Sequence, residues 1–267
     1  MRLVLLAILV FLGPPALAAS PLCGVVPADN SSVSIKLMRA AISGDINGMW
    51  RWIGECANPN YQDKDGVPIL GAVFKAKPKN MRAVVNVLVN VGADVNARTY
   101  ILPISFSLVG SSDCDPKVLD ILFKHGLIPN DTEPVDGSST LDAAIFLGGN
   151  IACIDALIAH NAMVNFTNRS GETPLLDAVY RKDSDIVSLL LENGARPNIS
   201  NDIGITPLMA AAAMKSTDIV KSLMKNGANP CLRNEDGKTA SDTAEEAGDD
   251  KLAQLLVCDR KSKHKSK

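Results

Sequence analysis

The sequence predicts an all-α chain of helix-turn-helix pairs stacked as a solenoid, and three observations predict it. Asn-Gly-Ala at Asn193–Ala195 returns 33 residues on at Asn226–Ala228. Thr-Pro-Leu at Thr173–Leu175 returns at the same interval, at Thr206–Leu208. Between the two phrases runs an apolar stripe, Ile186, Val187 and Leu190 in one copy and Ile219, Val220 and Leu223 in the other. A fixed period of this length marks a repeat architecture, in which each unit covers its apolar face only by stacking on its neighbours.

Each phrase has a local reason. Thr173 and Thr206 suit the helix N-cap, where a hydroxyl oxygen satisfies an orphaned backbone N–H. Pro174 and Pro207 fit the first helical position, and Gly194 and Gly227 the left-handed residue that ends a helix. Ala178 and Ala211 let helices approach closely, and the apolar stripe is what a neighbouring repeat covers. Residues 171–198 and 204–231, each with a turn, a Thr-Pro-Leu helix, an Ile-Val-x-x-Leu helix and a Gly-Ala close, resemble the ankyrin repeat. The resemblance implies paired helices joined by hairpin-like turns.

From the N-terminus, residues 1–19 read as a cleavable secretory signal: Arg2, an uncharged run from Leu3 to Leu12, then Pro14-Pro15 and the small-residue site Ala16-Leu17-Ala18. That run is too short to span a bilayer and no later one reaches the length, so no integral membrane segment is expected. Residues 20–33 read as a leader and 34–259 as the repeat domain. Its first unit, Leu37–Ala41 with Gly44-Asp45, lacks the Thr-Pro-Leu turn and closes at Cys56–Asn60. The second, Asp65-Gly66 to Asn96, recovers the close in full at Gly92–Ala97. The third, from Leu102-Pro103-Ile104 to Pro129-Asn130, is degenerate and leads into an extended loop from Ile128 to Asp136. In the fourth, Asp136–Asn165, Ser139-Thr140-Leu141 replaces Thr-Pro-Leu and Asn161-Ala162 replaces Gly-Ala. The fifth and sixth carry the full pattern, and the seventh, 235–258, keeps Thr239 in phase with Leu252, Leu255 and Leu256 behind it. The count is about seven repeats, the outer two acting as caps, followed by a basic, disordered tail over 260–267.

Six cysteines, an even number in an exported chain, argue for three disulfides in an oxidising compartment. Fifteen connectivities are open to six cysteines, but the repeat map brings some together. Cys114 falls in the turn of the third unit and Cys153 near the start of the second helix of the fourth, so they could meet across the stack. Cys231 follows the second helix of the sixth unit and Cys258 ends the last helix, while Cys23 and Cys56 would staple the N-terminal cap. No Cys-x-x-Cys or Cys/His cluster has ligand spacing, so neither a metal nor a cofactor is expected. Sequons occur at Asn30, Asn130, Asn165, Asn168 and Asn198. Glycans at Asn165 and Asn198 would crowd the packed turns, which favours a bacterial periplasm over a eukaryotic secretory route, with secretion to the exterior the alternative.

A net charge of −2, with 46% apolar and 4% aromatic residues, gives no general attraction to nucleic acid or to anionic membrane. No Gly-x-Ser-x-Gly elbow, His-Glu-x-x-His or phosphate loop occurs. His125 and His160 stand at helix ends, where the last carbonyls and the dipole account for them, and His264 lies in the tail. No catalytic residue is expected, and the chain reads as a non-enzyme. Trp52 aligns with Leu190 and reads as core; Trp50 aligns with Ser188 on the outer side.

What the ankyrin resemblance implies is a concave face, built of hairpin tips and first helices, that grips another protein. The tips and helix faces would present Tyr61, Lys64, Arg98, Tyr100, Asp131, Glu133, Phe166, Arg169, Asp202, Phe146, Tyr180 and Met214. Exposed aromatic and Arg side chains are the types that dominate binding hot spots. Exported bacterial proteins of this type and size resemble immunity proteins that neutralise antibacterial effectors, including phospholipases, or accessory proteins of peroxide defence. The expectation is therefore a monomer or a 1:1 complex that inhibits a secreted effector or periplasmic enzyme by steric blockade.

Overall fold

The computed structural model describes residues 31–100, 102–110 and 113–258. The expected signal, Cys23 with the leader as far as residue 30, and the basic tail lie outside them. Among the described residues there are fourteen helices and one short hairpin. The first of them, α1 (Ser31–Ser43), already includes residues 31–33, which the sequence pattern assigns to the leader.

The chain divides into two compact units, one running to Ser107 and including Asp120–Leu127, the other made of Leu108–Leu119 and everything from Ile128. In the first unit α1 is followed by α2 (Ile46–Gly54), α3 (Ile69–Ala76) and α4 (Met81–Asn90). α1 packs on α2 and on α3, α3 on α4, and α2 on α4, so first helices lie beside first helices and second beside second. Their shared core is Leu37, Ala41, Met49, Ile69, Leu70, Val73, Phe74, Val84, Val85 and Leu88. β1 (Arg98–Thr99) and β2 (Leu102–Pro103) then form an antiparallel hairpin, with Arg98 opposite Pro103.

The third pair, α5 (Ile104–Val109) and α6 (Pro116–Lys124), contains the division between the units. The second unit continues with four full pairs: α7 (Thr140–Phe146) and α8 (Ile151–Ala159), α9 (Pro174–Tyr180) and α10 (Ser184–Glu192), α11 (Pro207–Ala213) and α12 (Thr217–Lys225), α13 (Ala240–Glu246) and α14 (Asp250–Leu255). α7, α9, α11 and α13 form one row of inner helices and α8, α10 and α12 a second row behind it. Thr173 and Thr206 cap α9 and α11, each accepting an N–H three residues on at 3.2 Å, with proline at the first turn. At α7 and α13 the cap is reciprocal: Ser139 pairs with Asp142 and Thr239 with Asp242, in capping boxes.

Two disulfides pin the second unit, Cys114–Cys153 with Cα atoms 6.2 Å apart and Cys231–Cys258 at 5.0 Å. No described cysteine is free, and Cys56 is itself disulfide-bonded. The sequence reading of Trp52 as core needs correction. Met49 is the residue of α2 that is fully buried, whereas Trp52 is half-buried, its ring covered by Lys36 Nζ at 4.7 Å and Arg51 Cζ at 4.6 Å. An indole at the edge of a stack keeps its area from water by lying under flexible cations, and gains their attraction to its face.

Candidate partner-binding face

The hairpin tips of the second unit are tied to one another through the backbone. Arg169 N–H donates to the Asp136 carbonyl at 2.8 Å, Asp202 N–H to Ser170 at 3.0 Å, and Glu235 N–H to Ile203 at 3.2 Å. Each tip is thus held by the one before it, and loops that would otherwise be mobile become a rigid edge.

The long loop before α7 is organised by two of the residues expected to meet a partner. The Glu133 carboxylate accepts the N–H groups of Val135, Asp136 and Gly137 and so closes the loop on itself. The Arg169 guanidinium donates to the carbonyls of Pro134 at 2.7 Å and of Val135. Both side chains have structural duties, and Asp136, beside Glu133, is held below the usual carboxylate range, first by that neighbour and further by Ser138. Asp131 is half-buried at the start of the same loop; Asp202 is exposed at the next tip but one.

Among the aromatic candidates, Phe146 (68% exposed) and Tyr180 (41%) close α7 and α9 at equivalent positions of neighbouring repeats. Phe166 is half-buried, and Met214, at the end of α11, is half-buried too. In the first unit Tyr100 projects fully, 74% exposed at a left-handed turn residue, and Lys64 is exposed, while Tyr61 and Arg98 are half-buried. His125 directs Nδ1–H to the Ile121 carbonyl at 2.8 Å, which is the helix-end role read from its position.

Two functional candidates were missed in the sequence. Asp142 and Asp177 lie on the inner helices α7 and α9, only 2% and 8% exposed. Asp142 Oδ2 accepts the N–H and the hydroxyl of Ser139, at 2.8 and 2.7 Å, but Oδ1 is buried without a partner. Burial, partly offset by Ser139, raises its carboxyl to about 6. Asp177 makes no hydrogen bond through its carboxylate; burial first, then the charges of Asp142, Glu172 and Asp136, push it up to about 8. The available signal for Asp177 was a charged residue where the neighbouring repeats carry Ala143 and Ala210. Tyr180 is pushed above the usual phenol range by burial and by Glu172 and Asp177.

Among the described residues no three His, Cys, Asp or Glu side chains are grouped to hold a metal ion, and no helix is long and apolar enough to cross a membrane. An open groove of about 350 Å³ lies at the turns between the helices of the fifth and sixth pairs, lined by Lys182, Ser184, Lys215, Ser216, Thr217, Asp218 and Ile219.

The family model described as ankyrin repeats (3 copies) matches residues 108–201 and 193–267. A fowlpox virus (strain NVSL) protein named for its ankyrin repeats, FPV031, is 31% identical over 121 residues, 43% of this chain. The chain spans about a third of that relative's length, 34%. Among solved structures, the ankyrin repeat domain of Bcl-3 aligns with a TM-score of 0.72 and 20% identity, covering 82% of this chain and 97% of that one. The ankyrin repeat domain of human ASB11 aligns with a TM-score of 0.69 and 25% identity, covering 84% and 98%.

Proposed function

Because this chain belongs to the ankyrin-repeat family, whose domains generally serve as protein-interaction scaffolds, we propose that it is an exported module that binds another protein through the inner-helix face and hairpin tips of its second unit. The observation that carries this reading is the row of Phe146 and Tyr180, solvent-facing aromatics on adjacent inner helices, above a recessed pair of carboxylates. Exposed aromatics on a rigid frame are low-entropy anchors for a partner surface. Export is supported by the disulfides Cys114–Cys153 and Cys231–Cys258, which persist only in an oxidising compartment.

The finer reading is an inhibitor or immunity protein that occludes a secreted antibacterial effector, for example a phospholipase, in the periplasm. Steric blockade needs no turnover, only a rigid surface. Affinity capture of the tagged full chain from periplasm, with mass spectrometry, tests it. The expected result is one stoichiometric partner whose activity falls on binding and whose toxicity appears on deletion of this gene. Capture of no partner, with peroxide sensitivity on deletion, would replace the inhibitor reading with accessory service in oxidative defence.

A further inference from the structure

Asp142 and Phe146 are four residues apart on α7, and Asp177 and Tyr180 three apart on α9, so each carboxylate shares a helix face with an exposed ring. The two helices pack side by side, which sets both acids and both rings within one patch. The acids are recessed and the rings project. The charges of Asp142, Glu172 and Asp136 add to burial in disfavouring ionised Asp177. The arginines nearest in the chain are already engaged: Arg169 donates to the carbonyls of Pro134 and Val135, and Arg181, at the edge of the patch, to that of Phe146 at 2.8 Å. Asp177, 8% exposed and without a hydrogen bond to its carboxylate, next to Asp142 with its buried Oδ1 unpartnered, is costly to ionise, and a cation would relieve that cost.

We infer that this patch is a socket for a cationic side chain of the protein partner, an arginine, with Asp177 as its anionic floor, Asp142 on the adjacent helix, and Phe146 and Tyr180 stacking on the incoming guanidinium. The inference rests on the protein-binding reading of this face. A bare metal ion does not fit, since the acids do not converge as ligands. A guanidinium does: its fork pairs with a carboxylate bidentately, and its flat faces lie against aromatic rings, which an ammonium does less well. Its arrival would expel the proton that burial holds on Asp177, so binding strengthens as pH rises through about 8. The charges of Asp142, Glu172 and Asp136 all favour the protonated form of Asp177, while the cations nearby are Arg169, which acts on Asp136, and Arg181, held on the Phe146 carbonyl.

The test is a nuclear magnetic resonance titration of the full chain with Nα-acetyl-arginine amide, and with the citrulline analogue as its neutral isostere. Saturable shifts confined to the Phe146, Asp177 and Tyr180 region are expected with arginine and not with citrulline. They should weaken at least tenfold in Asp177→Asn and fall in Tyr180→Leu, with the remaining resonances unmoved as proof of folding. Equal response to citrulline, no saturable shift, or full response in Asp177→Asn overturns the socket. With a captured partner in hand, undiminished binding to Asp177→Asn overturns the socket and leaves the protein-binding reading standing. Arginine binding with no partner captured does the reverse.

Discussion

Asn198 spans the joint between two repeats: its Nδ2 donates to the Gly227 carbonyl at 2.9 Å while its Oδ1 accepts the N–H of Asn229 at 2.7 Å. Asn165 does the same with Gly194 and Arg196, at 3.0 and 2.8 Å, and Asn60 and Asn130 occupy corresponding places. An asparagine carries a donor and an acceptor on one amide, which is what a helix end, with its unsatisfied groups, requires of a neighbour.

Replacing Asn198 by Ala removes both bonds. They lie at the surface, so the net contribution of each is about 0.5–1.5 kcal/mol. Urea denaturation should therefore show a loss of about 1–2 kcal/mol, and a similar loss for Asn165→Ala. No measurable change in either would mean that stacking alone sets the joint.

The Cys231–Cys258 bridge joins cysteines 27 positions apart and ties down α13 and α14. Chain-entropy reasoning puts its stabilisation at about 3 kcal/mol. The double serine variant should keep its overall helix content while α13 and α14 exchange their amide hydrogens faster than the preceding pairs. Equal exchange throughout the second unit would show that stacking, not the bridge, secures the end.

Stability should fall with rising pH. Asp177 has a folded-state value of about 8 against 3.8 for the free group, so the folded chain holds a proton there that the unfolded chain has released. That contribution is fully present below about pH 4 and is lost as pH rises through about 8; Asp142, at about 6, acts in the same sense. Asp177→Asn, neutral and nearly isosteric, should flatten this slope and raise stability at pH 8 by roughly 2 kcal/mol. Thermal melts of both proteins between pH 5 and pH 9 measure it; parallel profiles would contradict the assignment.

Two glycines with the same backbone sign should respond differently to alanine. Gly194 (φ 84°) has nothing within 4 Å of an added Cβ, so Gly194→Ala should cost only the left-handed conformation, about 1–2 kcal/mol. At Gly204 (φ 80°) that atom would sit 2.8 Å from Asn234 Cα in the next tip, so Gly204→Ala adds a backbone clash and should cost clearly more. Chemical denaturation ranks the two, and an equal cost would mean that the tips slide apart freely.

Repeat phase, caps and helix ends were legible because each is local: Thr173, Pro174 and Gly194 do their work within a few residues of where they stand. Glu133 and Arg169 were not, because a charged turn residue reads as solvent-facing until the carbonyls and N–H groups of a folded loop are seen around it. Trp52 was misread since an apolar register position does not reveal which rings the cap leaves at its edge. Asp142 is visible as half of a capping box; that its other oxygen lies buried beside a second acid is not.

By itself the amino-acid order determined the period, the helix pairing and the residues that begin and end each helix, since these follow from hydrogen-bonding and packing demands that recur every repeat. Only the tertiary structure decided which cysteines bond within the second unit, which tip side chains are consumed in holding loops, and that Asp142 and Asp177 share one desolvated patch. Burial and charge proximity arise between neighbouring repeats, and no pattern within one repeat encodes them.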